Sequence, residues 1–352
     1  KDVPRYTIYL NIHPELLTFE GQLRLDYTNT ETVALPYLIF RLMPNGQVSF
    51  GNGSLDVSRV LVDGRAVEAL FTQERTVLQV NFPVPLTVGQ KTKIEMEFSG
   101  TIPRDFGGNE TPAGYGIYNM SDDVLALSAW YPMLAVYDEQ GWSLNPSSDI
   151  GDSIYSDTAF YTVSLQIPED FKVAATGKQI QREVLGSVQK ILYDSGPARD
   201  FFLVASPNFG VLSRDTGGTR INVYFLPGHK QAGEQALIIA GDSLDIFNQK
   251  FGLYPYTELD IVAAPMRNAL GVEFPAIVLV SSELFATPEK PEFTVTVAHE
   301  VSHQWWYSVV GNDVFDEPWL DESLATYSSS LYYEFGSARI TPPPLIAYWQ
   351  ER

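Results

Sequence analysis

The chain has 352 residues, of which 45% are hydrophobic and 19% charged, with no cysteine and a formal net charge of −20. This balance is typical of a folded protein with two or three domains and excludes an intrinsically disordered chain. The negative charge argues against a nucleic-acid partner, because phosphates are bound by lysine and arginine. Without cysteine there is no disulfide framework and no thiol nucleophile, so a metal site must use His, Asp or Glu. The chain contains no run of about 18 apolar residues, so no transmembrane segment is predicted.

The N-terminal part of the chain shows the alternation of apolar and polar residues that half-buried strands require. The alternation is clearest in YTIYLNIH (6–13) and GQLRLDYTN (21–29), and Asp63-Gly64 marks a hairpin turn. Many short strands without a long helical pattern predict an all-β domain of saddle or sandwich type, residues 1–209. Further strand-like runs lie at 38–42, 60–69, 76–82, 91–98, 159–167, 189–195 and 198–206.

The pattern changes from residue 210 onward and predicts a mixed α/β domain, residues 210–352. A helix is predicted over 230–251, because apolar residues recur there at spacings of three and four and Gly252 follows. Asp316 is the predicted cap of the last of the helices, whose first turn contains Pro318. The other predicted elements are strands at 221–227, 259–265 and 276–282, helices at 291–310 and 317–335, and the start of another helix at 341–352.

The segment HEVSH, residues 299–303, has the spacing of a zinc site. His299 and His303 lie on one face of a helix, so both ring nitrogens can reach one cation about 2 Å away. Glu300 lies about 100° around that helix and can take the proton of a metal-bound water as general base. The alternative is a chance pair of histidines, but the chain has only four. In an apolar helix their unpaired nitrogens would be costly.

A catalytic zinc site needs a third protein ligand and leaves one position for water. Glu322, in WLDES, returns beside the two histidines if the helices at 291–310 and 317–335 are antiparallel. Asp321 is then the candidate partner that orients a histidine ring.

The motifs HEVSHQWW and WLDES together resemble the gluzincin metallopeptidases of the alanyl aminopeptidase and leukotriene hydrolase type. LGVEFP, residues 270–275, resembles the Gly-x-Met-Glu segment whose glutamate binds the free α-amine of the substrate in that family. Leu270 and Phe274 depart from the family pattern. On this resemblance Glu273 holds the amine, and Gly271 and Val272 complete the substrate-binding segment.

The physical interpretation of this segment is that Glu273 precedes an edge strand, 276–282, which pairs with the substrate backbone. WYPMLAVYDEQGW, residues 130–142, resembles the segment at the rim of the family's active site. Relatives have a second amine contact just upstream of it, and Asp123 is the nearest candidate.

The resemblance implies an α+β fold, with an N-terminal β domain followed by an incomplete thermolysin-like zinc-peptidase domain. It also implies one zinc ion held by His299, His303 and Glu322, and peptide substrates with a free N-terminus. The expected function is that of a zinc-dependent aminopeptidase. A gluzincin endopeptidase in which Glu273 has no role, and an inactive zinc-bearing scaffold that binds peptides, stay open as alternatives.

The family's tyrosine that stabilises the oxyanion has no clear counterpart. Tyr327, Tyr332 and Tyr333 share the helix of the third ligand, and Tyr348 is expected to pack. The tyrosine is therefore expected beyond residue 352, and the chain is expected to be part of a longer aminopeptidase that binds zinc but is weakly active alone. Family analogy favours a bacterial extracytoplasmic or membrane-anchored enzyme and leaves the cytoplasm open.

Overall fold

The chain divides into two compact units, Lys1–Pro207 (unit 1) and Asn208–Arg352 (unit 2). The computed structural model describes residues 2–46, 49–107, 115–145 and 154–336. The predicted helix at 341–352 and Tyr348 lie outside the described residues. None of the described helices is both long enough and apolar enough to cross a bilayer.

Unit 1 is built from β-strands, with short 3-10 turns as its helical parts among the described residues. Its strands are β1 (Arg5–His13), β2 (Thr18–Thr28), β3 (Leu35–Arg41), β4 (Ser54–Val62), β5 (Arg65–Ala66), β6 (Ala69–Thr72), β7 (Val77–Leu86), β8 (Lys91–Thr101), β9 (Tyr118–Ser121), β10 (Val124–Leu127), β11 (Met133–Leu134), β12 (Tyr137–Asp138), β13 (Gly141–Trp142), β14 (Ala159–Pro168), β15 (Lys172–Ala175), β16 (Lys178–Leu185), β17 (Val188–Ala198) and β18 (Leu203–Ser206).

The largest sheet of unit 1 has eight strands in the order β16-β17-β14-β1-β2-β8-β4-β5, and its one parallel pair is β1 with β14. Two four-stranded sheets, β15-β18-β10-β9 and β11-β3-β7-β6, and the pair β12-β13 complete the described strands. The alternation that predicted β1 places Tyr6, Ile8, Leu10 and Ile12 in the core, whereas Tyr9 is exposed. A period of two thus buries one face of the strand.

The core of unit 1 contains a cluster of aromatic rings. Tyr6 stacks on Tyr161 with ring centroids 4.9 Å apart. Trp130 and Tyr131, from the segment that resembles an active-site rim, are fully buried beside them. The Trp130 indole donates to the Phe201 carbonyl at 3.0 Å, and the Phe201 N–H donates to the Tyr131 hydroxyl at 3.2 Å. The backbone N–H and carbonyl of Phe201 thus bond to side chains and not to a neighbouring strand. The strand predicted over 198–206 begins only at Leu203.

Unit 2 has a mixed five-stranded sheet in the order β19-β20-β21-β23-β22, with helices packed against it. The strands β20, β21 and β23 are parallel, and β19 and β22 are antiparallel to their neighbours. The helix α1 has the predicted bounds. The elements are β19 (Gly210–Thr216), β20 (Thr219–Phe225), α1 (Lys230–Phe251), β21 (Glu258–Ala264), β22 (Gly271–Phe274), β23 (Ile277–Ser281), α2 (Ser282–Phe285), α3 (Pro291–Ser302) and α4 (Trp319–Phe335).

The prediction that residues 276–282 form an edge strand is wrong. The strand β23 lies inside the sheet between β21 and β22, and β22 is the edge strand of the described sheet. Pro275 and Ala276 form a two-residue turn, so Phe274 pairs with Ile277 and the chain folds back. Ala276 adopts φ 65°, as the second central position of a type II turn requires, although this position usually holds glycine.

Two predicted helix ends also differ from the structure. The helix α3 ends at Ser302 rather than near residue 310, because the N–H groups of residues 303, 304 and 305 each bond to the carbonyl three residues back, which tightens the last turn. Asp316 does not cap α4: Pro318 is the cap position, without a side-chain bond. The carboxylate of Asp313 instead accepts the N–H groups of residues 315 and 316, which closes a local turn before the helix.

We predict that Gly177→Ala destabilises unit 1 more than Gly186→Ala does. Both glycines have positive φ, 93° and 69°, so both substitutions carry the same kind of backbone strain. A Cβ at Gly177 would also overlap the backbone of Asp194 and Ser195, whereas Gly186 has open space around it. Urea unfolding is expected to show a loss of about 1 kcal/mol for Gly186→Ala and at least twice that for Gly177→Ala. Equal losses would contradict the close approach at Gly177.

Candidate metal centre and active site

Three side chains from α3, the residue after it and α4 meet at one point. The Nε2 atoms of His299 and His303 are 3.1 Å apart, and His299 Nε2 lies 3.3 Å from Glu322 Oε2. The three ligand atoms all lie within 4.8 Å of one another. Two atoms bound to one tetrahedral zinc at 2.0–2.1 Å would stand about 3.3 Å apart, so this donor set fits a shared zinc ion.

The helix pair α3 and α4 explains why these side chains meet. His299 occupies the last turn of α3, and His303 keeps helical angles (φ −63°, ψ −12°), so the spacing of one helical turn is preserved. The Ser302 hydroxyl reaches the Ala325 carbonyl at 3.4 Å, and both residues are fully buried where the two helices touch. This packing brings the first turn of α4, with Glu322, beside the histidines.

The tautomer of His303 follows from a single contact. Its Nδ1 lies 2.9 Å from the Trp306 carbonyl oxygen, which can only accept, so Nδ1 carries the proton. The lone pair of the neutral ring is therefore on Nε2, which faces His299. Burial, with a smaller effect of His299, lowers the pKa of His303 to about 4. The ring is neutral at pH 7, and its 3.6 Å contact with Glu273 is not an ion pair.

His299 and Glu322 lie in contact on the exposed side of the site. Burial lowers the pKa of His299, but its hydrogen bond to Glu322 and the charge of Glu300 outweigh it, and the pKa is raised overall. Burial raises the pKa of Glu322, but the histidines outweigh it and the pKa is lowered. The exposed side-chain fraction rises from 1% at His303 to 17% at His299 and 52% at Glu322, so the site opens towards Glu322.

A second group of titratable side chains lies on the buried side of His303. The carboxylates of Glu273 and Glu300 and the ring of His303 offer atoms within 4.8 Å of one another, and all three residues are buried. Glu300 packs against β22 at Gly271, where an added Cβ would overlap its carboxylate. The His303 atom nearest Glu273 is Nδ1, whose proton is committed to Trp306. This group is therefore less suited to a metal than the first, and its two carboxylates suit a cationic group.

The segment after His303 connects the site to the surrounding elements of unit 2, a role that the sequence did not reveal. Gln304, Trp305 and Trp306 each donate a side-chain N–H to a different element of unit 2. The acceptors are the Phe274 carbonyl at 3.0 Å, the Gly252 carbonyl at 2.8 Å and the Ser328 hydroxyl at 2.9 Å, respectively. The available signal was a polar residue, Gln304, between a candidate ligand and two tryptophans in an apolar segment.

The remaining predicted site residues lie as follows. Gly271 and Val272 are on the edge strand β22, beside Glu273. Asp321 is buried, but its Oδ1 accepts the N–H of Glu322 at 3.0 Å, and among the described residues no hydrogen bond joins it to a histidine ring. Asp123 is exposed in the turn between β9 and β10 of unit 1, and its role as an amine contact stays a prediction.

Comparisons with known proteins agree with this architecture. Residues 235–340 match the Peptidase family M1 domain. Aminopeptidase 2 of Candida albicans is 24% identical over 343 residues, 91% of this chain and 34% of that protein. Aminopeptidase M1-A of Oryza sativa subsp. japonica is 28% identical over 273 residues, 73% of this chain and 29% of that protein.

The crystal structure of an M1 zinc metallopeptidase from Deinococcus radiodurans has the same fold, with a TM-score of 0.65 at 18% identity. The match covers 95% of this chain and 70% of that one. A mutant of that protein, solved with a Tyr-Ser-Ala substrate, matches equally well, with a TM-score of 0.65 over 95% of this chain and 71% of that one, at 18% identity.

The fold is therefore that of these M1 zinc metallopeptidase structures, and the α+β class with an N-terminal β domain before a catalytic-type domain is confirmed. The sequence comparisons therefore show that the chain is similar to aminopeptidases of family M1. It spans about a third of the length of the curated relatives that it matches.

We predict an energetic coupling between Trp306 and Ser328, because their hydrogen bond ties the segment after His303 to the helix that carries Glu322. Ser328→Ala leaves a mostly buried indole N–H without its acceptor, which costs about 1–3 kcal/mol of unfolding free energy. Trp306→Phe and the double variant complete a double-mutant cycle, measured by urea unfolding. A coupling of about 1 kcal/mol is expected.

Ser329→Ala is the matched control for this cycle. Ser329 is fully buried on the same helix, but its hydroxyl bonds only to the Thr326 carbonyl of that helix. Its coupling to Trp306→Phe is expected to be close to zero. Equal couplings for the two serines would contradict a specific role of the Trp306–Ser328 bond.

Proposed function

We propose that the protein is a zinc-dependent aminopeptidase. The observation that carries the proposal is the donor set of His299, His303 and Glu322, whose contacts of 3.1 and 3.3 Å fit a single tetrahedral zinc. The similar proteins support it, since they are named aminopeptidases and M1 zinc metallopeptidases. These three residues would hold one ion, with room for a water ligand beside them.

A zinc ion held by these residues would supply Lewis-acid chemistry, lowering the pKa of a bound water and polarising the scissile carbonyl. The role of Glu300 is then that of general base: its carboxylate accepts the proton of the attacking water and returns it to the leaving amine. Its burial and its position one residue after His299 support this role. His303 holds its Nε2 lone pair ready for the metal because Trp306 keeps the proton on Nδ1.

Glu273 is the proposed anchor of the substrate's α-ammonium. It is a buried carboxylate close to the carboxylate of Glu300, and a cation between the two would offset their repulsion. It lies on β22, whose outer edge can pair with an extended peptide. With the amine held there, the first peptide bond is the one next to the metal, which favours an aminopeptidase over the alternative of an endopeptidase.

We predict that His303→Ala removes bound zinc, whereas Glu300→Gln retains it. Loss of a ligand is expected to reduce zinc affinity by more than the roughly 10- to 100-fold that loss of an outer-shell partner costs. Loss of the general base is expected to lower kcat by about a hundred- to ten-thousandfold at unchanged metal content. Zinc is measured by elemental analysis after dialysis, and kcat with aminoacyl anilides.

His229→Ala is the control for this experiment, because His229 precedes α1 and takes no part in the site. It is expected to keep about one zinc per chain. Zinc retained at wild-type affinity by His303→Ala would overturn the proposed ligand set. Unchanged turnover in Glu300→Gln would overturn the role of Glu300 as general base, and absence of turnover in the unsubstituted protein would support the inactive-scaffold alternative.

We predict that Glu273→Gln raises KM for peptides with a free N-terminus by about ten- to a hundredfold, because an amide replaces a charged partner of the ammonium. The zinc content is expected to stay unchanged. The measurement compares a tripeptide with its N-acetylated twin. Cleavage of both twins at similar rates by the unsubstituted protein would favour the endopeptidase alternative.

A further inference from the structure

Gln304 connects the metal-ligand segment to the turn that follows Glu273. It is the residue after His303 and is fully buried. Its Oε1 accepts the N–H of Ala276 at 2.8 Å, and its Nε2 donates to the carbonyl of Phe274 at 3.0 Å. The carboxamide of Gln304 therefore bonds to the residues before and after Pro275, in the turn between β22 and β23.

The orientation of this carboxamide is fixed by its partners. A backbone N–H can only donate and a carbonyl can only accept, so exchanging Oε1 and Nε2 would break both bonds. The hydroxyl of Tyr254 lies 3.3 Å from Oε1 and 3.1 Å from the Glu258 carbonyl, which adds a second buried donor on the same side. Gln304 is thus held in one arrangement by groups from three segments of unit 2.

The turn that Gln304 holds is one that the local sequence does not favour. Ala276 has φ 65°, a conformation that L residues other than Asn and Asp rarely adopt. Such a turn persists only where surrounding contacts determine it. Because Glu273 precedes Phe274, the conformation of the turn decides where the Glu273 carboxylate lies relative to His303.

We propose that Gln304 is a positioning residue that sets the distance between the metal ligands and the amine anchor Glu273. The inference rests on the proposed function. Gln304 contacts neither the metal donor atoms nor the Glu273 carboxylate, so it acts through the backbone of residues 274–276. Its loss moves the anchor relative to the metal and leaves the donor set of His299, His303 and Glu322 intact.

The test is the preference for a free amine, measured by calorimetry on the zinc-loaded protein. The probes are alanine, leucine, arginine and phenylalanine, each beside its N-acetyl derivative; these are not hydrolysed, so no activity is needed. In Gln304→Met, which keeps the side-chain length but loses both bonds, the preference of the best-bound amino acid over its N-acetyl derivative is expected to fall at least tenfold. The zinc content and the affinity for the N-acetyl derivative are expected to stay unchanged.

Gln235→Met is the matched control, because Gln235 is half-buried in α1 and donates to the Pro288 carbonyl at 2.9 Å, away from the turn. It is expected to keep the full preference. A milder variant, Gln304→Glu, keeps an acceptor for Ala276 and loses the donor to Phe274, and it is expected to lose part of the preference. If Gln304→Met does not fold, the same measurement is made with Gln304→Glu alone.

The outcomes separate this inference from the proposed function. If the unsubstituted protein does not prefer a free amine, the proposed aminopeptidase function fails, and the inference fails with it. If the unsubstituted protein prefers the amine and both Gln304 variants keep that preference, only the inference is overturned. If the variants lose zinc together with the preference, Gln304 supports the metal site and not the anchor, which also overturns the inference.

Discussion

The end of α3 at Ser302 determines the arrangement of the whole site. Because the chain leaves the helix there, the carbonyl of Trp306 returns to Nδ1 of His303 at 2.9 Å, a contact that a continued helix would not make. That contact keeps the proton off Nε2 and directs its lone pair towards His299. In the same turn the side chains of Gln304, Trp305 and Trp306 form hydrogen bonds with β22, with the end of α1 and with α4, respectively. The tautomer of His303 and the contacts of residues 304–306 therefore both depend on the end of α3 at Ser302.

The two sides of His303 differ in their side chains and in exposure. Metal binding is proposed for one side and amine binding for the other. On the open side, the rings and Glu322 offer one nitrogen each and one carboxylate oxygen at distances that suit a cation. On the closed side, Glu273 and Glu300 are buried carboxylates within reach of each other. Carboxylates placed this close together suit a cationic group, and the proposed substrate ammonium is such a group.

Local patterns predicted much of this arrangement, and the errors have a common cause. The bounds of α1 and the alternation in β1 follow from periodicity, and the spacing of HEVSH needs only one helical turn. The edge strand was misplaced because a turn at Pro275 requires an unfavourable φ at Ala276, which the sequence around it does not announce. The premature end of α3 is accompanied by indole bonds to the distant residues Gly252 and Ser328, which the local sequence does not indicate. Glu322 could be proposed only by assuming that the two helices are antiparallel, since its place beside His299 depends on helix packing.

The close approach of α3 to β22 explains why Glu273 and Glu300, the proposed anchor and the proposed general base, lie close together. Glu300 lies against Gly271, where even a methyl group would overlap its carboxylate, so this edge strand approaches the helix more closely than a side chain would allow. Gln304 holds the far end of the same strand through the turn at Pro275. The strand is thus fixed at both ends against the segment that carries the histidines. A peptide paired with its outer edge would therefore meet the metal in one register, set by backbone contacts and not by the substrate's side chains.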